Sequence, residues 1–385
     1  MSSDSEQETS PNLSNSDVVT KYKAAADICN KAIAKVLAAC QEGAKVVDLC
    51  QLGDNTITEE VKGIFAKKKL EKGVAFPTCV SVNHVVGHYS PHIEDTTTLN
   101  ANDVVKIDIG VHIDGFTSVQ AQTQVVQPAQ EPVKGRAADA IQAARTAFDA
   151  ALRLMRPGHK ISEVAKHLNK IAEIYGCQLV EGVMSHEMKQ FVIDGNKCVL
   201  NRPSPEQKVE DGEFEENEVY AIDIVVSTGE GKTKVLDEKQ TTVYKRALDA
   251  AYSLKLKAAR AVFSIINRDF PAMPFTTRAL VAIASSDKEP LGQAQLSLGI
   301  KDCVSHGLLH AYPVLYEKTG EIVTQIKGTV LLMPNGSDVI TKSPAQAVES
   351  DKKVEDPELL DLLAAPIKKE KKKANKEKKK AAAAT

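Results

Sequence analysis

Apolar residues recur every three or four positions in two pairs of segments, which is the periodicity of amphipathic helices. The first pair covers about Val18–Cys40 and Val46–Lys68. Lysines at 67–69 and 72 indicate the end of the second helix, because positive charge suits a helix C-terminus. The second pair runs from about Ile141 to Met155 and over Ile161–Tyr175. The sequence therefore predicts two helix pairs.

The links inside the two pairs resemble each other. Residues 43–49 read GAKVVDL and residues 158–164 read GHKISEV, with matching spacing and residue types. Each link follows an alanine-rich helix of similar length. This internal echo predicts two related halves, each made of helices followed by strands.

Period-two alternation predicts the main strands. Residues 104–115 place aliphatic side chains on one face and polar side chains on the other, with a hairpin partner at 117–127. Extended chain is expected at 75–88, with Pro77 at an edge or turn, and further strands near 178–184, 219–226 and 322–333. Residues 248–310 predict an inserted helical subdomain, with the apolar pattern Leu254, Ala258, Ala261 and Ile265.

Composition bounds the class of protein. The 385 residues are 43% apolar and 26% charged, which is ordinary for a globular protein. The apolar runs are too short for a transmembrane helix, so no membrane insertion is expected. The seven cysteines form no CxxC pair and are odd in number, which argues against a disulfide framework or a zinc ribbon. We expect reduced, buried cysteines.

The two ends differ from the body. Residues 1–17 predict a disordered acidic leader, which is unlike a secretion signal or transit peptide because it has no basic residue. The body is expected to cover 18–343 and a C-terminal extension 344–366. Within the extension, a short helix is predicted at PELLDLL (357–363), with Asp356 as N-cap and Pro357 in the first turn.

Charge is concentrated in the tail. Residues 367–385 carry nine lysines and two glutamates, so the tail is +7 in a chain of net charge −2, and the rest is −9. Such a block is typically disordered, and lysines without aromatics suit phosphate backbones. A solvated solubility tail is the alternative. The predicted nucleic-acid-binding lysines are Lys368, Lys369, Lys371, Lys372, Lys373, Lys376, Lys378, Lys379 and Lys380.

Five segments in order carry a family resemblance: 73–91 (GVAFPTCVSVNHVVGHYSP), 103–115 (DVVKIDIGVHIDG), 181–195 (EGVMSHEMKQFVIDG), 214–231 (FEENEVYAIDIVVSTGEG) and 324–336 (TQIKGTVLLMPNG). They resemble the type-2 methionine aminopeptidases. They are more similar still to the non-catalytic relatives of those enzymes, the proliferation-associated, ErbB-receptor-binding or curved-DNA-binding proteins. The resemblance covers about 18–365 and implies an α/β pita-bread fold with pseudo-two-fold halves and a helical insertion.

The resemblance also places the enzymes' two-metal site on this sequence. Of the five ligand positions, Asp108, His186 and Asp223 keep a ligating side chain, whereas Val119 and Lys327 replace an aspartate and a glutamate. The two active-site histidines of the enzymes fall on His88 and Asp194.

Two of the four carboxylates are thus missing. A valine cannot ligate, and a lysine puts an ammonium where a metal pair needs a bridging anion. The sequence therefore predicts a pseudoenzyme with a vestigial pocket, no metal and no cofactor, in which Lys327 pairs with Asp108 or Asp223. A metal-dependent aminopeptidase that uses His88 and an altered ligand set is the alternative.

Two further groups of residues are candidates for binding. Lys255, Lys257, Arg260 and Arg268 are predicted on an inserted helix, where they either contact RNA or DNA backbone or form a solvated surface. Leu359, Leu362 and Leu363 form an LxxLL pattern, which either docks into a partner's groove or packs on the protein's own body.

The resemblance implies a function that composition alone does not. It implies a monomeric binding protein that contacts ribosomal RNA on the large ribosomal subunit and acts in ribosome biogenesis, translation, transcription and growth control. DNA and transcription co-regulators are further implied partners, and the implied locations are the cytoplasm and the nucleus, including the nucleolus. An adaptor that holds a peptide in the vestigial pocket remains a third hypothesis.

Overall fold

The computed structural model describes residues 11–128, 130–203, 209–286 and 290–368. One antiparallel sheet dominates this part of the chain. Its strands follow the order β1-β3-β4-β13-β8-β6-β7, with β14 against β13 and β5 against β8. The strands are β1 (Lys72–Val82), β3 (Val104–Ile113), β4 (Phe116–Val125), β5 (Gln178–Leu179), β6 (Met184–Met188), β7 (Cys198–Leu200), β8 (Val219–Ser227), β13 (Val323–Met333) and β14 (Gly336–Val339).

Two helix pairs cover one face of this sheet. The first pair, α1 (Ser16–Ala39) and α2 (Val46–Gly63), packs on β1, β3 and β4. The second pair, α3 (Gly135–Leu154) and α4 (Val164–Ile174), packs on β8 and β13 together with the neighbouring β5. The α/β pita-bread fold with two related halves is therefore as the sequence predicts.

The alternation of β3 explains its position. Its odd-numbered residues, such as Ile107 and Ile109, lie in the apolar core formed with α1 and α2. Its even-numbered residues, such as Lys106 and Asp108, are also buried but on the opposite face. This opposite face is the one that carries the polar site.

The internal echo is a structural repeat. Gly43 and Gly158 have φ values of +82° and +86°, in the left-handed region that only glycine adopts without strain. Two residues later, Lys45 and Lys160 are both extended, and each precedes the next helix or helical turn. The matching sequence positions therefore adopt matching backbone conformations.

Helix ends in the first pair differ from the predictions at two places. The second helix ends at Gly63 and not at Lys68, because Ile64 is extended and Phe65 has a φ of 49°. The side chains of Ile64 and Phe65 pack against the core formed with α1 and α2. Lysines 67–69 follow in the segment before β1, and Lys72 is the first residue of that strand. The first helix begins at Ser16, where the Asn15 side chain accepts a hydrogen bond from Asp17 N at 2.9 Å.

The predicted disordered leader overlaps the fold. Residues 11–17 are part of the described structure, and Leu13 is buried in a core cluster. Residues 1–10 lie outside the described residues.

The insertion is mixed in structure and not purely helical. It contains α5 (Lys257–Asp269), α6 (Thr277–Ser286) and α7 (Gln293–Ser305), together with the sheet β10-β9-β11. Those strands are β9 (Val243–Arg246), β10 (Phe275–Thr276) and β11 (Leu309–Tyr312); the short β2 (Val85–Gly87) and β12 (Leu315–Tyr316) pair elsewhere. Leu254 precedes α5, whose buried face is formed by Ala259, Val262, Ile265 and Ile266.

The C-terminal extension ends in α8 (Pro357–Ala364). Asp356 caps it by accepting a hydrogen bond from Leu359 N at 3.1 Å, and Pro357 occupies the first turn, as predicted. None of the helices in the described part of the chain is both long and apolar enough to cross a bilayer.

Candidate functional site

Strand register brings the predicted pocket residues together. Asp108 on β3 lies opposite Ala121 on β4, Ala121 lies opposite Lys327 on β13, and Lys327 lies opposite Asp223 on β8. Directly opposed residues in an antiparallel sheet point to the same face. One row across four strands therefore places Asp108, Lys327 and Asp223 side by side.

His186 and Val119 join the same face. His186 on β6 is opposed to Ala221, two residues before Asp223 on β8. Val119 lies two residues before Ala121 on β4 and is 3% exposed. Period-two geometry thus assembles all five predicted ligand positions around one cavity.

Lys327 lies between the two carboxylates. Its Nζ is 2.5 Å from Asp108 Oδ2 and 3.0 Å from Asp223 Oδ2. The other oxygen of Asp223, Oδ1, accepts a hydrogen bond from Gln325 Nε2 at 2.8 Å. The lysine ammonium thus occupies the centre of the row and neutralises one of the two anions.

The electrostatics fix the charge of this lysine. Burial would lower the pKa of Lys327, but the carboxylates of Asp108 and Asp223 outweigh that effect and hold the pKa above its ordinary value. The ammonium also lies 5.6 Å from the centroid of the Phe76 ring, within cation–π distance. Lys327 is therefore a permanent cation at physiological pH.

The two histidines of the cavity are kept neutral. Burial lowers the pKa of His88 and of His186, and the nearby charge of Lys327 lowers both further. His88 Nδ1 lies 2.9 Å from the carbonyl oxygen of Pro313, so it donates to that oxygen and leaves Nε2 as the acceptor nitrogen.

Asp194 lies at the rim of the cavity. Its carboxylate pairs with Lys245 on β9, and its Oδ2 accepts a hydrogen bond from the Tyr312 hydroxyl at 3.2 Å. The Tyr312 ring packs edge-on against both Phe76 and His88, with centroids 5.5 Å apart in each case. This aromatic group closes one side of a cavity of about 760 Å³.

The residues present do not fit a pair of divalent metals. Two carboxylates remain of the four that the resemblance implies, and each already contacts an ammonium. Two unit charges about 4 Å apart interact by about 4 kcal/mol at an effective dielectric of about 20. A divalent cation would therefore have to displace Lys327 or lie beside it against a repulsion of roughly twice that energy. The wall at Val119 is apolar.

The cavity nevertheless keeps unused polar atoms. Asp108 Oδ1 and His186 Nδ1 are buried and, among the described residues, have no hydrogen-bond partner. Such buried atoms are costly unless something satisfies them. The wall of the pocket therefore keeps two polar atoms whose hydrogen-bonding capacity is unsatisfied within the described part of the chain.

Sequence reasoning did not identify three residues of this site: Phe76, Tyr312 and Gln325. Gln325 carries a usable signal, because it precedes Lys327 by two positions and therefore shares its face of the strand. Phe76 and Tyr312 are placed by tertiary packing and carry no local pattern that marks them.

The predicted basic residues of the insertion do not form one helical face. Lys255 lies before α5 and not on it, and Lys257 is the first residue of α5. Arg260, in the first turn of α5, donates from Nη1 to the carbonyl oxygens of Leu254 and Lys255, at 3.1 and 2.6 Å, in the segment before the helix. Arg268 pairs with Asp269 at 2.7 Å. All four basic residues remain exposed.

The LxxLL segment packs on the protein's own body. Leu359 is fully buried in the core formed with α3 and α4, and Leu362 and Leu363 pack against the same core. Of the two alternatives for this segment, the structure shows packing on the protein's own body. Docking into a partner's groove would require α8 to detach.

The lysine tail meets the described structure at one residue. Lys368 bridges to Gly336 and pairs with Asp338 at 2.7 Å, so it belongs to the body. The other tail lysines lie outside the described residues; they are Lys369, Lys371, Lys372, Lys373, Lys376, Lys378, Lys379 and Lys380.

The sheet, its two covering helix pairs and the polar pocket define a pita-bread protein of the aminopeptidase type. Metallopeptidase family M24 matches residues 20–268, and the chain belongs to this family. It is 52% identical to ErbB-3 binding protein 1 of Solanum tuberosum, over 97% of this chain and 94% of that one. It is 43% identical to the curved DNA-binding protein of Schizosaccharomyces pombe, over 92% of both chains.

A solved structure agrees with these relatives. A thermophilic Arx1 superposes with a TM-score of 0.84 at 29% identity, over 92% of this chain and all of that one. The resemblance found in the sequence is thus confirmed, and the two relatives reported above are named for binding and not for peptide hydrolysis.

Proposed function

We propose that this protein is a non-catalytic binding protein and regulator built on an aminopeptidase scaffold. The observation that carries the proposal is the position of Lys327, whose ammonium lies between Asp108 and Asp223 at 2.5 and 3.0 Å. The site has lost its anionic bridge and gained a cation, which removes the means to hold a metal pair and to activate a water.

A reconstruction tests the loss of catalysis. We expect no saturable Co²⁺ binding by the wild-type protein in calorimetric titration and no hydrolysis of a methionine-initiated tripeptide. The double substitution Val119→Asp with Lys327→Glu restores two carboxylates and should bring back Co²⁺ binding. Val119→Asn with Lys327→Gln, which adds polarity without charge, is the matched control. Anomalous density between Asp108 and His186 in wild-type crystals grown with Co²⁺ would refute the proposal.

We further propose that the protein binds nucleic acid, with ribosomal RNA of the large subunit as the main target. The lysine block after residue 368 supports this, as does the name of the S. pombe relative. The exposed basic residues Lys255, Lys257, Arg260 and Arg268 offer a second contact on the insertion. On this reading the protein acts in ribosome biogenesis, translation, transcription and growth control, as a monomer in the cytoplasm, nucleus and nucleolus.

Co-sedimentation with ribosomes tests the RNA proposal. Full-length protein and a 1–368 truncation are compared across a salt series, because Lys368 is part of the folded body. A tail that contacts phosphates gives a steep loss of binding with salt and a shallower one after truncation. If both proteins bind alike, the insertion is the main anchor. If neither sediments at low salt, the RNA proposal fails.

The cavity of about 760 Å³, lined by Asp108, Lys327 and the neutral His88, favours a second candidate function, a peptide-binding adaptor. Its partners would include transcription co-regulators. A pulldown that is unchanged by tail truncation but lost on filling the cavity with Val119→Phe supports this candidate.

A further inference from the structure

A second cavity adjoins the aminopeptidase-like pocket, with which it shares Gly195, Asn196 and Glu210, and it is acidic. It has a volume of about 920 Å³ and lies between residues 11–13, Tyr22 on α1, the 187–197 segment and residues 210–219. Six of the nine residues from 210 to 218 are acidic, and five of them are exposed. We call the surface formed by residues 210–218 and Tyr22 the acidic cleft.

Most of this charge is not neutralised within the cleft. Lys197 pairs with Glu218 and lies 3.6 Å from Glu215, and Lys189 pairs with Glu187. No ion pair within the described residues involves Glu213 or Glu216.

Tyr22 is a second, independent sign of a ligand. Its side chain is 2% exposed and lines the cleft, yet its hydroxyl has no hydrogen-bond partner among the described residues. Burial, reinforced by the nearby Glu187 carboxylate, raises the pKa of Tyr22, so the phenol is neutral. A neutral phenol oxygen facing carboxylates can accept a hydrogen bond from an ammonium group.

The described chain ends close to this cleft. Ser337 N donates to Ile367 O, β14 pairs with β13, and Leu332 on β13 exchanges backbone hydrogen bonds with Asn217 and Glu218. These are three inter-strand steps of about 4.8 Å, or about 14 Å in total. Residues 369–385 can extend about 56 Å at about 3.3 Å per residue. Lysines 371–373 are therefore within reach.

We propose that the lysine-rich tail (residues 369–385) docks in the acidic cleft of its own chain. The tail carries eight lysines and two glutamates, which complements the acidic run at 210–218. Docking would compete with phosphate backbones for the same lysines. This competition, unlike the docking itself, rests on the proposed nucleic-acid function. Nucleic acid then gains access to the tail by displacing it from the cleft.

Zero-length carbodiimide cross-linking of the full chain tests the docking directly. We expect amide links from Lys371, Lys372 or Lys373 to Glu213, Glu215 or Glu216 within single molecules. Mixing isotope-labelled and unlabelled protein separates these from links between molecules. Links made mainly between molecules, or equally often to Asp48 and Glu59 on α2 and to Glu42 in the link before it, would overturn the proposal.

A binding cycle tests the competition. Full-length and 1–368 proteins are compared with and without the triple substitution Glu213→Gln, Glu215→Gln and Glu216→Gln, and a 20-nucleotide oligouridylate is the probe. If the tail is docked for about nine-tenths of the time, neutralising the cleft tightens binding by the full chain about 10-fold. The 1–368 protein should change far less.

The control substitutions Glu42→Gln, Asp48→Asn and Glu59→Gln remove the same charge elsewhere. If they tighten binding by the full chain equally, the effect is general electrostatics and the competition is refuted. Equal binding by unsubstituted full-length and 1–368 proteins would instead refute the tail's role in nucleic-acid binding, while the cross-links still decide the docking.

Discussion

Replacing Lys327 by methionine removes the ammonium group that lies between Asp108 and Asp223 and keeps most of the side-chain volume. In the wild-type protein this group is 2.5 and 3.0 Å from the two carboxylates. The substitution leaves two buried anions that share one polar row. Because they contact the same Nζ, their Oδ2 atoms lie close enough to repel each other strongly once the lysine is removed.

The expected loss is large. At an effective dielectric of about 20, each lysine–carboxylate attraction is worth about 4 kcal/mol or more, and much of this is offset by the cost of burying the charges. Breaking a buried pair by removing one partner costs about 3–5 kcal/mol. We expect Lys327→Met to lower the free energy of unfolding by about this amount at pH 8.

The loss should shrink as the pH falls. Without the lysine, the carboxyl groups have folded-state pKa values above their unfolded value near 4, so the folded state binds protons more tightly. Stability then falls as the pH rises through those folded-state pKa values. In the wild-type protein the pKa of Lys327 is raised, so the stabilisation that this lysine provides is fully present over the same pH range. The variant should therefore recover relative to wild type between pH 8 and pH 5.

Urea unfolding followed by circular dichroism at pH 5 and pH 8 measures both effects. Lys170→Met is the matched control, because Lys170 Nζ also lies between two carboxylates, Asp356 at 2.8 Å and Glu358 at 3.6 Å, but its side chain is 39% exposed, against 11% for Lys327. It should show a smaller loss and no such pH dependence. Adding Asp108→Asn to Lys327→Met should recover part of the stability. A variant as stable as wild type at pH 8 would refute the assignment of Lys327 as the counter-ion.

Three further predictions concern stability. Asp356→Ala removes the cap of α8 and should cost about 1 kcal/mol in denaturant unfolding, whereas Asp356→Asn should cost less. Burial lowers the pKa of Lys106 to about 7. From pH 7 towards 10, the free energy of unfolding of the wild type should therefore rise relative to that of Lys106→Met by up to about 1.4 kcal/mol per pH unit. Parallel pH profiles of the two proteins would contradict this. Gly43→Ala and Gly158→Ala should each cost about 1–2 kcal/mol in thermal unfolding, because both glycines have positive φ; a neutral result at either would contradict the shared strain.

Local patterns were sufficient where one element decides its own structure. The alternation at 104–113 predicted β3 and both of its faces, and Asp356-Pro357 predicted the start of α8. Local patterns failed where tertiary packing decides the structure of a segment. The lysines at 67–69 suited a helix end, but Ile64 and Phe65 gain more by turning onto the core, so α2 stops at Gly63. The strands of the insertion were missed because they are short and pair over long sequence distances.

For the candidate site, too, one part could be predicted from the sequence and the other part depends on packing. Family resemblance placed Asp108, His186, Asp223 and Lys327 at one site, and their charges then predicted that the lysine pairs with an aspartate. The sequence could not state that Lys327 contacts both carboxylates, since this follows from the register of β3, β4, β13 and β8. The acidic run at 210–218 was visible in the sequence, but its proximity to the end of the chain was not.

The sequence by itself determined the two helix pairs, the main strands and the charge of the tail, because these depend on residue type and short-range periodicity. The absence of two ligating carboxylates was implied by the family resemblance. Only the tertiary structure decided which residues share a cavity. Asp108 and Lys327 are 219 residues apart in the chain, yet their side chains meet. Contacts of that kind are set by strand order and register, which depend on how all the elements pack together and not on any local segment.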